Sequence, residues 1–428
     1  MTPDENPFDK FLQSKKSKIF KNKDTLLHTY TPERLPHRDE QINTLVDILG
    51  VALEGHAPKN IMVYGMTGSG KTVTVKYILK KLEEKASEIG ALVRGIYVNC
   101  EVVDTSYRVL QTIANNLISE WEERIPPTGL PTDEVYTKLI EILEKYGGIV
   151  VVALDEIDRL VKKSGDSVIY MLTRINESLK HSKLSLIGIA NDINFIDLLD
   201  VRVRSSLVHE KVLFPPYNAR QLEDILRDRA KIAFYEGVLE PSVIPFCAAA
   251  SAREYGDARV ALDLLRTAGE IAERNGESKV REGHVRLAIK RLEMDTVIEA
   301  IKTLPTHGKA VLYALYKKTL SEMRKGKRFS EIETTTGELY QEYLNVCYFL
   351  GISPVTQRRF TDFVSYLDEI GLLNARIASR GRYGRTKIIK LASDISYVEE
   401  GLKSDPEFGS LFMRRPVQTS LEKYFSSI

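Results

Sequence analysis

The sequence is poor in cysteine and contains no long apolar run. Its three cysteines, Cys100, Cys247 and Cys347, are far apart and odd in number, which argues against a disulfide framework or a zinc site. No apolar run reaches the roughly 18 residues that a membrane span needs, and residues 1–6 are polar and acidic, unlike a signal peptide. We therefore expect a protein of the reducing cytoplasm with no membrane partner.

The sequence also lacks an excess of charge of either sign. It has 61 basic and 59 acidic residues, and a sum near zero says little about partners because local concentrations of opposite sign cancel. The length of 428 residues exceeds what one compact core supports and predicts two or three domains.

The most specific motif is a phosphate-binding loop between an apolar strand over residues 61–64 and a helix that begins near Thr72. Glycines let backbone N–H groups close on phosphate oxygens, and the helix N-terminus adds positive potential. Lys71 is expected to reach the β- and γ-phosphates, and Thr72 to bind Mg²⁺. The motif consists of Gly65, Met66, Thr67, Gly68, Ser69, Gly70, Lys71 and Thr72. It predicts binding of ATP or GTP, in preference to a glycine-rich turn without a ligand.

A second apolar strand, over residues 149–154, ends in Asp155 and Glu156. Such a run predicts a strand buried on both faces. A carboxylate pair at a strand end often marks only a solvated turn. Downstream of a phosphate loop, however, it predicts a Walker B site. Asp155 is then expected to hold Mg²⁺, and Glu156 to orient and deprotonate the attacking water.

Alternating strands and helices occupy the first half of the chain and predict a parallel sheet flanked by helices. The predicted strands cover residues 61–64, 94–99, 149–154, 185–190 and 208–214, and the predicted helices cover 73–89, 106–120 and 133–145. Pro215 and Pro216 end this alternation, and the chain to about Leu292 is helical in period. Further helices and a basic turn then lead to residues 388–391, an edge-strand candidate, in an order typical of a winged helix.

On these residues the chain resembles the AAA+ ATPases and, within them, the archaeal origin-recognition and cell-division-cycle initiator proteins, over about residues 15–395. The resemblance rests on the phosphate loop, on residues 154–158, and on the phrases at 30–38, 203–207 and 256–259. It implies an α/β AAA+ domain with a parallel sheet, an α-helical lid domain and a C-terminal winged-helix domain. The predicted segments are a basic arm (1–23), the ATPase domain (24–214), the lid (215–300), the winged helix (301–395) and a tail (396–428).

The resemblance also implies roles for residues beyond the phosphate loop. Asn191 matches a first sensor beside the γ-phosphate, although an Asn after a buried strand is also a common turn residue. Arg259 matches a second sensor, carried by the lid toward the γ-phosphate; the alternative is a surface arginine on an amphipathic helix.

Arg202 corresponds to the arginine finger that reaches a neighbouring subunit's ATP. The family usually has Asp-Pro-Arg-Val at this point, and this chain has Val201 in place of the proline. That departure leaves Arg204 open as a substitute for Arg202.

A set of residues around the phosphate loop matches the segments that enclose adenine, which favours ATP over GTP. Its alternative is a hydrophobic staple followed by a helix start. The set consists of Ile19, Phe20, Asn22, His37 and Arg38. Tyr217 and Arg259 are further candidates for binding the nucleotide. The implied ligands are ATP or ADP with Mg²⁺, and the family often retains ADP.

One-signed charge marks the candidate DNA-binding region. Between Asn374 and Lys390 there are six basic residues and no acidic ones, which favours a nucleic-acid wing over a solvated face or a protein-binding surface. Just upstream, a helix running to Ile370 presents its N-terminal residues to a major groove. The resemblance adds an inserted loop over residues 124–132 as a second DNA contact, in place of an ordinary proline-rich loop. The candidate DNA-binding residues are Thr356, Gln357, Arg358, Arg359, Arg376, Arg380, Arg382, Tyr383, Arg385, Lys387, Thr128 and Gly129.

The end of the chain resembles the peptide that binds the sliding clamp. One turn of 3₁₀ helix would place three apolar side chains on one face to fill a pocket. An amphipathic terminal helix that packs on its own body is the alternative. The candidate residues are Gln418, Leu421, Tyr424 and Phe425.

Taken together, the motifs and the resemblance imply an ATP-regulated, nucleoid-associated DNA replication initiator. It would bind double-stranded origin DNA beside other initiator copies, help to recruit or load the replicative helicase, and hydrolyse ATP slowly as a switch. Two alternatives remain open. A clamp-loader-type ATPase would explain the tail but predicts a helical collar, and a DNA-binding regulator with structural ATP does not require Glu156.

Overall fold

The chain divides into two compact units, with the boundary after Ala288. The computed structural model describes residues 17–118, 124–254, 256–379 and 385–413. Among these residues, no helix combines the length and the apolar character needed to cross a membrane.

The first unit is built on a five-stranded parallel sheet in the order β2-β3-β4-β1-β5. Its strands are β1 (Ile61–Gly65), β2 (Val93–Asn99), β3 (Ile149–Asp155), β4 (Lys183–Ala190) and β5 (Glu210–Phe214). Because β1 is hydrogen-bonded to β4, and β4 to β3, the carboxyl ends of these three strands lie side by side. In parallel α/β sheets, ligands bind at this edge.

Helices cover both faces of this sheet. They are α1 (Asp39–Leu49), α2 (Lys71–Ile89), α3 (Ser106–Asn115), α4 (Thr132–Tyr146), α5 (Ile157–Ser164), α6 (Ser167–Arg174) and α7 (Val201–Leu207). Alternate residues of β3 enter two separate cores, with Val150 and Val152 in one and Val151 and Ala153 in the other. This two-sided burial explains why β3 is a continuous apolar run in the sequence.

One predicted helix is shorter in the structure. The helix predicted over 106–120 ends at Asn115, where two consecutive asparagines, Asn115 and Asn116, weaken helix propagation. Short 3₁₀ helices also occur, at Lys23–Leu26, Gly50–Glu54, Ile175–Glu177, Ile193–Leu198 and Phe329–Glu331.

A group of helices follows the sheet in the first unit. They are α8 (Ala219–Ala233), α9 (Val243–Glu254), α10 (Ala258–Arg274) and the start of α11 (Glu282–Thr303). The N-terminal segment is fastened to them, because the backbone N–H groups of Lys21 and Asn22 donate to Ala233 O at 2.8 and 3.1 Å. A Cβ at Gly269 would lie 2.4 Å from the Phe20 ring, so the glycine permits this close approach.

The second unit contains a three-stranded sheet packed against helices. Its elements are α12 (Thr306–Arg324), β6 (Thr334–Thr335), α13 (Thr336–Leu350), α14 (Gln357–Glu369), β7 (Leu373–Ser379), β8 (Arg385–Leu391), α15 (Ile395–Lys403) and α16 (Pro406–Met413). The prediction of residues 388–391 as an edge strand is wrong, because β8 lies between β6 and β7. The two-residue strand β6, whose Thr334 pairs with Ile389, is too short to be recognised in the sequence.

The polar segment after β8 also folds. Val398, Leu402 and Phe408 of α15 and α16 are fully buried in the core of the second unit. The division of the chain into five segments at residues 23, 214, 300 and 395 stays a prediction. In the structure, α11 runs without a break through residue 300.

Candidate functional site

The phosphate loop connects β1 to α2 and is shaped by two glycines in the left-handed region. Gly68 and Gly70 have φ of +71° and +88°, which other residues adopt only with strain. Each glycine also faces a residue from the chain after β5. A Cβ at Gly68 would lie 1.7 Å from Asp257 Oδ1, and one at Gly70 would lie 2.6 Å from the Tyr217 hydroxyl. Both positions therefore require glycine.

Lys71 lies buried at the start of α2. Its Nζ donates to the Gly65 and Met66 carbonyl oxygens at 2.7 and 2.9 Å and to Asn191 Oδ1 at 2.8 Å. Burial lowers the pKa of Lys71 to about 8, although the nearby carboxylates of Asp155 and Glu156 oppose this shift. These three acceptors occupy the ammonium group that phosphate oxygens would otherwise engage.

The candidate metal-binding residues Thr72 and Asp155 are in direct contact. The Thr72 hydroxyl donates to Asp155 Oδ2 at 2.8 Å, and the Tyr97 hydroxyl donates to the same oxygen at 2.7 Å. Within the described ranges, no group of three or more His, Cys, Asp or Glu side chains could hold a metal by itself. A hydroxyl beside a single carboxylate fits Mg²⁺, which is usually bound by few protein ligands together with phosphate oxygens and water.

Glu156 follows Asp155 in a left-handed conformation, with φ of 57°, at the N-terminal end of α5. A non-glycine residue in this region is uncommon and costs conformational energy. Asn191, which follows β4, donates from Nδ2 to both Glu156 carboxylate oxygens at 2.9 Å. Asn191 therefore contacts Lys71 and Glu156 at the same time.

The start of α10 lies against the phosphate loop. The Ala258 N–H donates to Gly68 O at 3.3 Å, and Asp257 Oδ1 caps the helix by accepting from the Arg259 N–H at 2.7 Å. The Arg259 side chain is exposed, and its charge adds to the lowering of the Lys71 pKa. The helical part of the unit thus reaches the site through residues 257–259.

Two candidate nucleotide-binding residues, Arg38 and Tyr217, lie beneath the loop. Arg38 is buried, and its Nε and Nη2 donate to Ser69 O at 3.0 and 2.7 Å. Nη2 also donates to Pro215 O at 2.7 Å, and the guanidinium lies 3.8 Å from the centre of the Tyr217 ring. Burial lowers the pKa of Arg38. The side chain joins the phosphate loop to the chain after β5.

The other candidate adenine-pocket residues lie at the junction of the N-terminal segment and α8. Ile19 and Phe20 are buried, and the Phe20 ring is 4.8 Å from that of Phe234. Asn22 accepts from the Asp24 N–H and begins a 3₁₀ helix. His37 has φ of 62°, and its Nε2 is 2.8 Å from Asp224 Oδ2 of α8.

The two candidate arginine fingers lie at the exposed start of α7. Arg202 is bonded to the Asp200 carboxylate, with Nε 3.0 Å from Oδ1, and Arg204 Nη1 is 3.0 Å from Asp197 Oδ1. Val201 beside them is 79% exposed. Each arginine thus has an aspartate partner within its own chain.

The candidate recognition helix is α14, which begins one residue after Thr356. Thr356, Gln357, Arg358 and Arg359 are all exposed. In the wing strands, Arg376 Nη2 is 2.9 Å from both Glu333 carboxylate oxygens, and Lys387 Nζ donates to Ser365 Oγ at 2.7 Å. Arg385 is the first residue of β8. The candidates Arg380, Arg382 and Tyr383, and the four tail residues Gln418, Leu421, Tyr424 and Phe425, lie outside the described residues.

The inserted loop is anchored to α3. The Ile125 backbone is bonded on both sides to Asn115, with Ile125 N–H donating to Oδ1 at 2.9 Å and Asn115 Nδ2 donating to Ile125 O at 3.0 Å. Gln111 Nε2 donates to the same carbonyl at 2.9 Å. Thr128 and Gly129 beyond this anchor are exposed.

Sequence reasoning missed two residues of the site, Tyr97 and Asp257. Tyr97 lies two residues before the end of β2, beside Ala153 of β3. A strand-end tyrosine points to a site only when the strand order is known, and that order is not visible in the sequence. Asp257 lies two residues before Arg259 in a recognised phrase. Its proximity to Gly68 depends on how the start of α10 packs against the phosphate loop, which the sequence does not show.

Family models match three consecutive regions of the chain. They are an AAA ATPase domain over residues 34–187, a Cdc6 AAA+ ATPase-type lid domain over 223–290, and a CDC6 C-terminal winged helix domain over 299–401. An ORC1-type DNA replication protein from Thermococcus kodakarensis is 52% identical over 384 residues, which is 90% of each chain. ORC1-type DNA replication protein 1 from Archaeoglobus fulgidus is 48% identical over 400 residues, which is 94% of each chain.

Solved structures are also similar to this chain. The Aeropyrum pernix ORC1 protein in complex with DNA is 44% identical, with a TM-score of 0.78 over 93% of this chain and all of that chain. Cdc6p from Pyrobaculum aerophilum is 23% identical with a TM-score of 0.55, over 90% of this chain and 99% of that one, and supports the fold alone. The predicted fold class, an α/β AAA+ domain followed by a helical lid and a winged helix, is confirmed. The chain therefore belongs to the archaeal Orc1/Cdc6 family of ORC1-type AAA+ DNA replication proteins.

Proposed function

We propose that this replication protein is an ATP-regulated initiator that binds double-stranded origin DNA through α14, the wing and the inserted loop. The observation that carries the proposal is the shared contact of Asn191 with Lys71 and Glu156. It links the group that receives the phosphates to the group that activates water. A nucleotide at Lys71 therefore changes the state of the catalytic carboxylate.

ATP binding rearranges this contact. The γ-phosphate attracts the Lys71 ammonium away from Gly65 O, Met66 O and Asn191 Oδ1, since a phosphate oxygen is a charged acceptor and forms the stronger bond. Asn191 is then free to face the γ-phosphate or the attacking water. Arg259 brings a further positive charge from the lid side, so that the lid responds to the same phosphate.

Mg²⁺ is held by Thr72 and Asp155 in this proposal. When bound, it neutralises charge on the β- and γ-phosphates. The structure supports this pairing through the Thr72 to Asp155 hydrogen bond, which brings the two oxygen ligands within 2.8 Å of each other.

Slow hydrolysis is expected because both candidate arginine fingers are already paired within the chain. Arg202 and Arg204 are each engaged by an aspartate of the same chain. Either must exchange that partner for a neighbour's ATP before it can stabilise the transition state. Hydrolysis then requires a second initiator copy on DNA and acts as a timing switch.

Three observations support DNA binding: exposed residues at the start of α14, the anchoring of the inserted loop, and likeness to a structure that contains DNA. Arg358 and Gln357 at the start of α14 are exposed and carry forked donors that suit base edges in a major groove. The inserted loop is anchored at Ile125 by hydrogen bonds from Asn115 and Gln111. The Aeropyrum pernix ORC1 structure contains DNA. We propose that the present chain also binds DNA. We further propose that it binds the replicative helicase and, through residues 418–425, the sliding clamp.

The test is binding of the purified protein to a library of duplex fragments from its own genome, in moderate salt, with ATP and with ADP. We expect enrichment of one or a few intergenic sites, stronger with one nucleotide than with the other. Arg358→Ala and Arg382→Ala should weaken that enrichment, each by about 10-fold. Lys403→Ala, on α15, is a matched basic control that should leave it unchanged.

Two outcomes would contradict the proposal. Uniform binding, or preference for primer–template junctions, would favour a clamp loader. Site-specific binding that is identical with ATP, with ADP and in Lys71→Ala would favour a DNA-binding regulator with structural ATP.

A further inference from the structure

Glu156 has a second partner, on the helix that it precedes. Arg159 lies three residues further along the chain, and its Nε is 3.3 Å from Glu156 Oε2. The same guanidinium is bonded through Nη1 to Glu101 Oε1. One cation is therefore shared by two carboxylates, the water-activating candidate and a residue of the loop after β2.

Glu101 is fixed beside Arg159 by the loop that carries it. The Glu101 N–H donates to Asn99 Oδ1 at the end of β2, at 2.9 Å. Further along the loop, Asp104 is paired with Lys163 of α5, and Asp104 O accepts from the Ser164 hydroxyl at 2.5 Å. The loop and α5 thus form one surface, on which Glu101 and Glu156 compete for Arg159.

If nucleotide binding acts as proposed above, Arg159 stays beside Glu156 when Asn191 turns away. When Lys71 moves to a phosphate, Asn191 loses the contact that orients it and is free to turn away from Glu156. Arg159 is 56% exposed and is held on the outer side of α5 by Glu101. Its contact with Glu156 involves neither Lys71 nor Asn191.

We propose that Arg159 is a positioning residue that holds the Glu156 carboxylate away from the attacking water, and that Glu101 sets how firmly it does so. A carboxylate oxygen engaged by a guanidinium must release that contact before it can align a water molecule. The proposal rests on the proposed slow hydrolysis and deepens it. It adds a cause of slow turnover within the chain to the requirement for a neighbour's arginine.

The test is ATP hydrolysis by the full chain, with kcat and KM determined separately. We expect Arg159→Ala to raise kcat by about 2- to 5-fold, which is the range for an exposed ion pair, without changing KM for ATP. Arg159→Lys keeps the cation and should stay near the parent protein. Glu101→Gln should lower kcat, because the guanidinium is then left to Glu156 alone. The double variant should behave like Arg159→Ala.

Lys163→Ala is the matched control, because it removes the other ion pair between the same loop and α5 without touching Glu156. Its kcat should equal that of the parent protein. An unchanged or lower kcat in Arg159→Ala, or a Glu101→Gln effect that persists without Arg159, would overturn the proposal. If the parent protein shows no origin selectivity, the proposed function is refuted. The comparison of kcat among these variants would still test the role of Arg159.

Discussion

The hydroxyl of Tyr97 contacts one of the candidate metal-binding residues, Asp155. It donates to Asp155 Oδ2 at 2.7 Å, and the Lys76 ammonium lies 3.9 Å from the centre of its ring. Burial and the bond to Asp155 raise the pKa of Tyr97, so the phenol stays a donor at all physiological pH values. It therefore fixes the orientation of the carboxylate that would bind Mg²⁺.

Tyr97→Phe should weaken Mg²⁺-dependent ATP binding by about 10-fold, the effect expected when an outer hydrogen bond to a metal ligand is lost. Binding of the nucleotide without Mg²⁺ should not change, since the phosphate loop is untouched. Titration of a fluorescent ATP analogue with and without Mg²⁺ measures both. An equal loss in the two titrations would show that Tyr97 supports the fold and not the metal.

Arg38 is expected to stabilise the first unit through its geometry as well as its charge. Arg38→Lys keeps the cation but cannot reach Ser69 O and Pro215 O together, so it should lower the free energy of unfolding by about 2 kcal/mol. Urea denaturation followed by circular dichroism measures this change. The control is Arg34→Lys, four residues earlier and exposed, which should be neutral. Equal stability of the two variants would contradict a stabilising role for the hydrogen bonds of the buried Arg38 guanidinium.

Individual residues were predictable from the sequence where a motif fixed their spacing. The phosphate loop, Asp155 and Glu156 were found because strand, loop and helix are contiguous in the chain. The contacts of Tyr97 and Asp257 join segments far apart in sequence, and no pattern within either segment records the partner. The roles of all these residues stay predictions until they are tested.

At the scale of elements, the inserted loop depends on the end of α3. Asn115→Ala removes two hydrogen bonds to the Ile125 backbone and should loosen residues 126–131. We expect DNA affinity to fall by up to about 30-fold, since two bonds with a net worth of about 1 kcal/mol each are lost, while ATP affinity stays constant. Electrophoretic mobility shift and nucleotide titration measure the two affinities.

Asn116→Ala is the control for this experiment. Asn116 is the next residue, but its side chain donates only to Thr112 O within α3. A loss of DNA affinity in both variants would point to damage of α3 and would contradict a specific role for the loop.

Elements were predictable where their own periodicity was strong. β3 and α4 appeared close to their true ends, because an uninterrupted apolar run and an amphipathic helix each carry a clear signal. The central place of β8 was missed because it is set by β6, whose two residues carry no periodicity. α15 and α16 were missed because only a few of their residues, such as Val398 and Phe408, enter the core.

At the scale of the whole molecule, the buried thiols report on the two units separately. Cys100 and Cys247 lie in the first unit and Cys347 in the second, and all three are buried. Burial raises the pKa of Cys100 and of Cys247 to about 12, so these thiols are neutral at pH near 8 and react only when the structure opens.

MgATP should slow alkylation of Cys100 and Cys247 but leave Cys347 unchanged, because a ligand stabilises only the unit that binds it. At a ligand concentration of about 100 times Kd, the slowing should approach 100-fold for opening that releases the ligand. Mass spectrometry of alkylated peptides over time measures each thiol. Equal protection of Cys347 would show that the two units open together.

The strand order also determines when the nucleotide site can first exist. β1 ends in the phosphate loop, yet it is hydrogen-bonded only to β4 and β5, which begin at Lys183 and Glu210. A chain emerging from the ribosome therefore exposes the loop long before its neighbouring strands have been made, and pairing over such separations is slow. We therefore expect ATP not to assist the early folding of this protein. It can stabilise the sheet only after Phe214 has been synthesised and β1 has been inserted between β4 and β5.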